Sequence, residues 1–203
     1  MLAVYITHPQ VMMDPKMPVP DWGLSPLGRA RAEALAARPW VKDLARVVTS
    51  MEAKARETGA ILARAAGVEA EALPDFHEND RSGTGYLPPE EFEKAADAFF
   101  ARPRESFRGW ETAEAAQARV VRAVRAALAG HPQDRPVALV GHGAVGTLLW
   151  LALSGRPISR QADQPPGGGN LFAFPLPEGR PLSGWVPMEG WSEDALAERN
   201  GNT

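Results

Sequence analysis

Short apolar runs alternate along the chain with longer, alanine-rich stretches in which apolar and charged residues mix. The short runs are rich in β-branched residues and end at polar or turn-forming ones, which is typical of buried strands. The longer stretches carry helix signals, such as Ser25 followed by Pro26 at a start and Gly67 at an end. The pattern predicts strands at 2–6, 45–49, 68–73, 137–140, 171–174 and 182–186, and helices at 26–37, 52–66, 89–101, 112–129 and 143–153.

This alternation of strand and helix predicts an α/β domain with a mostly parallel sheet, because parallel strands need crossover connections that helices supply. The last two strands are expected to pair across the turn at 177–181. A length of 203 residues fits one domain, 1–203. Within it we interpret 81–110 as a lid-like insertion and 189–203 as a polar tail that frays.

Composition narrows the chemistry and the partners. The chain has no cysteine, which excludes disulfides, zinc ribbons and a thiol nucleophile. Its 25 acidic and 22 basic residues give a net charge of −3, unlike the basic excess of nucleic-acid binders. No apolar run approaches the about 20 residues of a membrane helix, and the first residues lack the basic region of a signal peptide. We expect a cytoplasmic protein that binds neither nucleic acid nor membrane; its oligomeric state stays open, with a homodimer as one option.

Polar side chains stand where the predicted strands end. The first strand ends on Thr7-His8, the third leads into His77-Glu78, and the strand at 137–140 is followed by Gly141-His142-Gly143. Ligands of open parallel sheets bind outside the carboxyl ends of the strands. We therefore expect two imidazoles and one carboxylate to meet at one edge of the sheet, where they suit nucleophilic and acid–base chemistry.

The order of these residues resembles the histidine phosphatase superfamily, the phosphoglycerate mutase-like proteins. The strand that ends on His8, then Ser50 ahead of a basic helix, Glu78, and His142-Gly143 follow the succession of that family. The segment Leu24-Ser25-Pro26-Leu27-Gly28-Arg29-Ala30 is similar to its helix start L-T-x-x-G-x-x-Q-A, and Ala55-Arg56-Glu57-Thr58 to its R-A-x-x-T-A. The resemblance covers about 2–176 and implies a three-layer α/β/α sandwich.

What the resemblance implies is a metal-independent phosphatase without a cofactor, acting on a phosphorylated small molecule or a phosphoprotein. His8 matches the nucleophile that becomes a phosphohistidine, and His142 matches the histidine that binds the phosphoryl oxygens. Glu78 matches the general acid that protonates the leaving oxygen. The helix after His142 adds backbone N–H groups that suit an anion. The predicted substrate-binding residues are Thr7, Lys54, Arg81 and Gly143.

Two positions depart from the family pattern. Thr7-His8-Pro9 stands where the family has Arg-His-Gly, and Lys54 stands at the second family arginine. A hydroxyl and an ammonium thus replace two guanidinium groups, which grip phosphate with two parallel hydrogen bonds. Arg81 is a candidate to compensate by swinging over the site; the alternative is a surface pair with Asp80 or Glu90. The departures keep a second hypothesis open, a degenerate member that binds a phosphorylated ligand without turning it over.

Other interpretations of the same residues have to be weighed. Gly141 to Gly146 satisfies G-x-G-x-x-G, with Asp163 at the distance of the acidic residue of a dinucleotide site, although no second strand precedes that acid. A metal site from His8, His142, Glu78 and His77 lacks the usual ligand spacing. His77 and His131 are interpreted as structural. The aromatic residues of the insertion either pack a lid or contact substrate: Tyr86, Phe92, Phe99, Phe100, Phe107 and Trp110.

Overall fold

Six strands form one mixed sheet in the computed structural model, which describes residues 1–177 and 179–191. The strands are β1 (Leu2–Thr7), β2 (Arg46–Ser50), β3 (Ala70–Leu73), β4 (Val137–Gly141), β5 (Asn170–Pro175) and β6 (Val186–Pro187). The α-helices are α1 (Pro26–Ala36), α2 (Ala53–Ala66), α3 (Pro89–Ala101), α4 (Ala113–Leu128) and α5 (Gly143–Leu153).

The sheet has the strand order β3-β2-β4-β1-β5-β6. Its first four strands are parallel, β5 runs antiparallel to β1, and β6 runs antiparallel to β5. The predicted α/β architecture is confirmed. The strand predicted at 182–186 is shorter and starts later than expected, because the chain bends at 182–184 and only Val186–Pro187 pair with β5. Leu182 still donates its N–H to the Ala173 carbonyl at 2.9 Å.

Helices cover both faces of the sheet and make the three layers. Side chains of β1 alternate between the faces, as the pleat requires. Val4 and Ile6 belong to the apolar core under α1 and α2, whereas Ala3 and Tyr5 belong to the core under α3, α4 and α5. The carboxyl ends of β1, β2, β3 and β4 therefore share one edge between the two helical layers.

The helix signals at Ser25 and Gly67 act as the sequence predicts, and Thr112 is a further cap that the structure shows. Ser25 is the N-cap of α1, and its hydroxyl accepts the Gly28 N–H at 3.0 Å. Thr112 caps α4 by accepting the Ala115 N–H at 3.2 Å. Gly67 ends α2 with a left-handed φ of 70°, which glycine adopts at low cost.

The insertion at 81–110 contains α3, and Phe99, Phe100 and Trp110 are buried in the core beside α4. At the other end of the chain, Glu189 pairs with Arg31 at 2.6 Å, and buried Trp191 packs on Trp40 with ring centroids 4.5 Å apart. The start of the predicted frayed tail is thus packed, and its remainder, 192–203, lies outside the described residues. None of the helices described is long and apolar enough to span a membrane.

Candidate active site

The pairing of β1 with β4 brings the two strand-end histidines together. Thr7 is the register partner of Gly141, and the His8 N–H donates to the Gly141 carbonyl at 3.1 Å. The residue that follows β4 is His142, whose ring lies edge-on to the His8 ring with 5.2 Å between centroids. The parallel register thus places both imidazoles at the shared edge.

The His8 imidazole is held in one tautomer. Its Nδ1 lies 2.9 Å from the Pro9 carbonyl, and since a carbonyl only accepts, Nδ1 carries the proton. The Nε2 lone pair is left for a reaction. Burial lowers the pKa of His8 to about 4, so the ring is neutral at physiological pH. A neutral imidazole with a free Nε2 is a competent nucleophile.

His142 is fully enclosed, with 0% of its surface exposed. The Tyr5 hydroxyl holds its backbone, accepting the His142 N–H and donating to its carbonyl at 3.1 Å each. Neither ring nitrogen has a hydrogen-bond partner among the described residues, and Nε2 lies 3.4 Å from Oε1 of Glu52. Burial lowers the pKa of His142 well below its ordinary value.

Glu52 is a site residue that the sequence analysis missed. It is only 8% exposed, its Oε1 accepts the Glu78 N–H at 2.9 Å, and its Oε2 pairs with the Lys54 ammonium. Burial alone would raise the pKa of Glu52, but His142, the Lys54 charge and the donated hydrogen bonds lower it to about 2. The signal that could have identified Glu52 is its position, two residues before the predicted phosphate-binding lysine.

Lys54 lies at the same edge, 3% exposed, but its charge is already matched. Besides the Glu52 carboxylate, its ammonium donates to the Val19 carbonyl at 2.8 Å. The predicted phosphate-binding cation is therefore part of a buried ion pair, and Glu52 stands between Lys54 and His142.

The Glu78 carboxylate occupies the N-terminus of α5. Its Oε1 accepts the Val145 and Asn79 N–H groups at 3.0 Å, and its Oε2 accepts the Ala144 N–H at 3.1 Å. The Ala144 and Val145 amides belong to the helix start that the sequence assigned to a bound anion through Gly143. The positive end of the helix dipole thus holds the predicted general acid.

Arg119 fixes the loop that carries Glu78, and the sequence analysis did not single it out. This 8% exposed side chain donates to the carbonyls of Asp75, His77 and Glu78 at 2.8 to 3.2 Å. Two further hydrogen bonds reach the Glu111 carboxylate at 2.9 and 2.7 Å. An arginine in the buried stripe of α4 was the available signal, because an unpaired guanidinium is rarely buried.

A cavity of about 370 Å³ opens in front of the His8 ring, and we call it the active-site cavity. Arg81 lines it and stacks its guanidinium over Phe92 at 5.2 Å and Trp110 at 5.7 Å. It therefore forms cation–π contacts within the site in place of the surface pair weighed above. Other lining residues are Glu78, Phe99, Phe100, Gly143, Gln164 and Gly167.

Thr7 does not face this cavity. Its buried hydroxyl donates to Oε1 of Gln164 at 2.7 Å and accepts the Asn170 N–H at 2.9 Å. The hydroxyl predicted to contact substrate instead ties β1 to the loop ahead of β5. That direction follows from the pleat, because consecutive side chains of a strand point to opposite faces.

The glycine loop ahead of β5, residues 167–169, packs against the backbone of His8. Gly169 donates its N–H to the His8 carbonyl at 3.0 Å. Gly168 has a φ of 62°, and a Cβ there would lie 2.5 Å from the same carbonyl oxygen. Only glycine fits this approach, so the loop acts on the His8 backbone.

The structure also shows the surroundings of the residues in the other interpretations, the dinucleotide site, the two remaining histidines and the metal site. Asp163 follows a 3-10 helix, Arg160–Ala162, and accepts the Thr147 hydroxyl at 3.0 Å, so it does not end a second strand as a dinucleotide site requires. His77 Nδ1 lies 2.6 Å from the Glu78 carbonyl, and His131 Nε2 lies 2.9 Å from the Arg135 carbonyl. No group of three or more His, Cys, Asp or Glu within 1–177 and 179–191 is arranged to hold a metal ion.

Sequence comparison identifies the class of protein that this fold and site define. The model of the histidine phosphatase superfamily (branch 1) matches residues 14–170, more than half of the chain. The chain therefore belongs to the histidine phosphatase superfamily. The matched range begins after Thr7-His8-Pro9, so membership does not depend on the altered first motif. No curated protein sequence matches the chain.

Solved structures share the fold over nearly the whole length. "Mycobacterial hydrolase 2" is 21% identical with a TM-score of 0.75, covering 98% of this chain and 96% of its own. The mycobacterial glucosyl-3-phosphoglycerate phosphatase is 22% identical with a TM-score of 0.74, covering 91% and 95%. Bacillus stearothermophilus YhfR is 21% identical with a TM-score of 0.75, covering 89% and 93%.

Proposed function

We propose that this protein is a phosphatase that hydrolyses a phosphate monoester through a phosphohistidine on His8. The observation that carries the proposal is the neutral His8 imidazole. Its Nδ1–H donates a hydrogen bond to the Pro9 carbonyl, and its Nε2 stays free beside His142. Membership of the histidine phosphatase superfamily supports the same chemistry.

The reaction then takes two balanced steps. Nε2 of His8 attacks phosphorus, the bond from phosphorus to the ester oxygen breaks, and Glu78 gives a proton to the leaving oxygen. Water next attacks the phosphorus of the phosphohistidine and gives a proton to Glu78, the bond between phosphorus and Nε2 breaks, and phosphate leaves a regenerated neutral His8. Arg81 supplies positive charge at the cavity, which phosphoryl transfer requires.

The dimensions of the active-site cavity favour a small phosphorylated molecule over a phosphoprotein. The about 370 Å³ of space is closed on one side by Arg160, which bonds to Glu93 and Asp97 of α3. One structural neighbour is named as a phosphatase of glucosyl-3-phosphoglycerate, a small phosphorylated molecule. A cytoplasmic location remains the expectation for such a substrate.

A second candidate function is binding of a phosphorylated ligand without turnover. The observation that favours it is the buried pair of Glu52 with Lys54, which neutralises the cation that replaces a family arginine. The Thr7 hydroxyl, at the other altered position, is also bound elsewhere.

The test is to trap the phosphoenzyme. Incubation with a ³²P-labelled phosphate monoester and a quench in detergent, which preserves acid-labile phosphohistidine, should label the protein on His8. His8→Asn should abolish the label and lower hydrolysis by at least about 1,000-fold. His131→Asn, which changes a histidine away from the cavity, should keep both.

The two candidates predict different results. No labelled intermediate and no hydrolysis across a panel of phosphate esters would refute the phosphatase. Binding of inorganic phosphate under those conditions would then support the second candidate.

A further inference from the structure

Glu52 places a buried negative charge at the edge of the sheet that carries His8 and His142, and it has no role in the proposed mechanism. The carboxylate contacts three groups: the backbone of the loop that carries Glu78 and Arg81 (the acid loop, 77–81), the Lys54 ammonium and the His142 ring. It also lines a side cavity of about 560 Å³ that shares Glu78 and Arg81 with the active-site cavity. Because the His142 ring contacts the His8 ring on one side and lies 3.4 Å from Glu52 on the other, a phosphoryl group bound at His8 lies near this carboxylate.

Charge decides which phosphoryl group can enter. Like charges that lie close together in a partly buried site repel strongly, because the effective dielectric there is well below that of water. A dianionic phosphoryl group meets repulsion from Glu52, while Lys54 is already paired. A singly charged phosphate meets a weaker repulsion and carries one more P–O–H than the dianion, and this group can donate a hydrogen bond to a Glu52 oxygen. The same carboxylate therefore repels the dianion and binds the monoanion.

We propose that Glu52 is a specificity-determining residue that makes the site select singly charged phosphoryl groups. The ligand class is a phosphate monoester in its monoanionic, protonated form. The inference deepens the proposed function and rests on its assignment of His8 and His142 as the phosphoryl site.

The groups that face Glu52 are the Lys54 ammonium from α2, the His142 ring from the end of β4, and the Glu78 carboxylate and Arg81 guanidinium of the acid loop, with His8 from β1. Low pKa values keep Glu52 ionised, and His8 neutral, above about pH 5. The second proton of a phosphate ester leaves near pH 6. His77 and Asp80 line the same side cavity. Dimethyl phosphate, whose charge does not change over this pH range, therefore separates the titration of the ligand from that of the protein.

The experiment is calorimetric titration of the full chain with inorganic phosphate at about pH 5 and about pH 8. We expect the natural protein to bind phosphate at least about tenfold more tightly at the lower pH. Glu52→Gln keeps the oxygen that accepts the Glu78 N–H, and it should bind more tightly at the higher pH and reduce the ratio to about two. Dimethyl phosphate, always singly charged, should bind with little pH dependence.

Glu69→Gln is the matched control, because it makes the same substitution and removes one carboxylate from an exposed position. It should keep the tenfold ratio. Circular dichroism checks that both variants fold, and if Glu52→Gln does not, the ratio in the natural protein and its response to dimethyl phosphate decide alone. Equal binding at the two pH values, tighter binding of the dianion, or no binding would overturn the proposal.

Hydrolysis is measured separately, so the two proposals fail in different ways. Monoanion-selective binding without a phosphoenzyme or turnover would refute the phosphatase and keep the role of Glu52. Turnover that increases as the substrate becomes dianionic, unchanged in Glu52→Gln, would refute the role of Glu52 and keep the phosphatase.

Discussion

The charged residues of this site are paired with one another inside the protein. Lys54 and Glu52 are nearly enclosed, with side-chain exposures of 4% and 9%, and they neutralise each other. Desolvation makes such a pair costly to break, because the surviving partner keeps a buried charge without compensation. The ion pair is thus as much a part of the fold as of the site.

This pairing predicts the stability of lysine variants. Lys54→Met should lower the free energy of unfolding by about 3–5 kcal/mol, because Glu52 is left as an unpaired buried charge. Adding Glu52→Gln should recover part of that loss, which urea denaturation of the four members of the cycle measures. Lys94→Met, which breaks an exposed pair with Glu90, should change stability by less than about 1 kcal/mol. Strictly additive losses in the cycle would contradict the coupling.

At the scale of elements, the site is held by connections between strands and helices. Parallel pairing of β1 with β4 aligns His8 with His142, and Arg119 of α4 fixes the acid loop by its backbone carbonyls. The glycine loop before β5 closes against the His8 carbonyl. Each support acts on the backbone, so each one sets the direction of a proposed catalytic side chain indirectly.

The glycine loop gives a prediction with an internal control. Gly168→Ala places a Cβ 2.5 Å from the His8 carbonyl oxygen and also strains a φ of 62°. Gly155→Ala meets a similar φ of 65° with nothing within 4 Å. Both variants should lose about 1 kcal/mol from backbone strain, and only Gly168→Ala should also lower kcat/KM, by about tenfold or more. Equal activities of the two variants would show that the loop does not position the nucleophile.

At the scale of the whole molecule, His8, His142 and Glu52 all have lowered pKa values in the folded state, and each lowered pKa makes stability fall as the pH falls. His8 has a folded pKa of about 4, below its ordinary 6.5, and that of His142 is well below it too. In the range between, the unfolded chain binds protons that the folded chain does not. Stability from these groups is complete above pH 6.5 and falls as the pH drops toward 4. Glu52, with a pKa of about 2 against an ordinary 4.5, adds a loss at still lower pH.

Acid should therefore weaken the fold before most carboxylates are protonated. The free energy of unfolding, from urea titrations between about pH 7 and about pH 4, should fall by more than about 1 kcal/mol. The double variant His8→Asn, His142→Asn should show a smaller fall over this range. A natural protein whose stability is constant from neutral pH to about pH 4 would contradict the assignment of both histidines as buried and neutral.

The sequence by itself determined the elements and the edge on which the site lies. Local signals were sufficient for this, since Ser25, Thr112 and Gly67 act on residues within one helical turn. Strand ends could be aligned by topology, because parallel strands present their carboxyl ends together. The order of motifs was enough to indicate the superfamily, and the positions of His8, Glu78 and His142 followed from it.

Only the tertiary structure decided what each site residue is bonded to. Glu52 meets the Glu78 amide from 26 positions away, Arg119 meets the Glu78 carbonyl from 41, and Thr7 meets Gln164 from 157. No local pattern encodes such contacts, because they depend on how the sheet and its helices pack. The neutralised Lys54 and the buried Glu52 are results of that packing, and they set the charge that the site offers to a phosphoryl group.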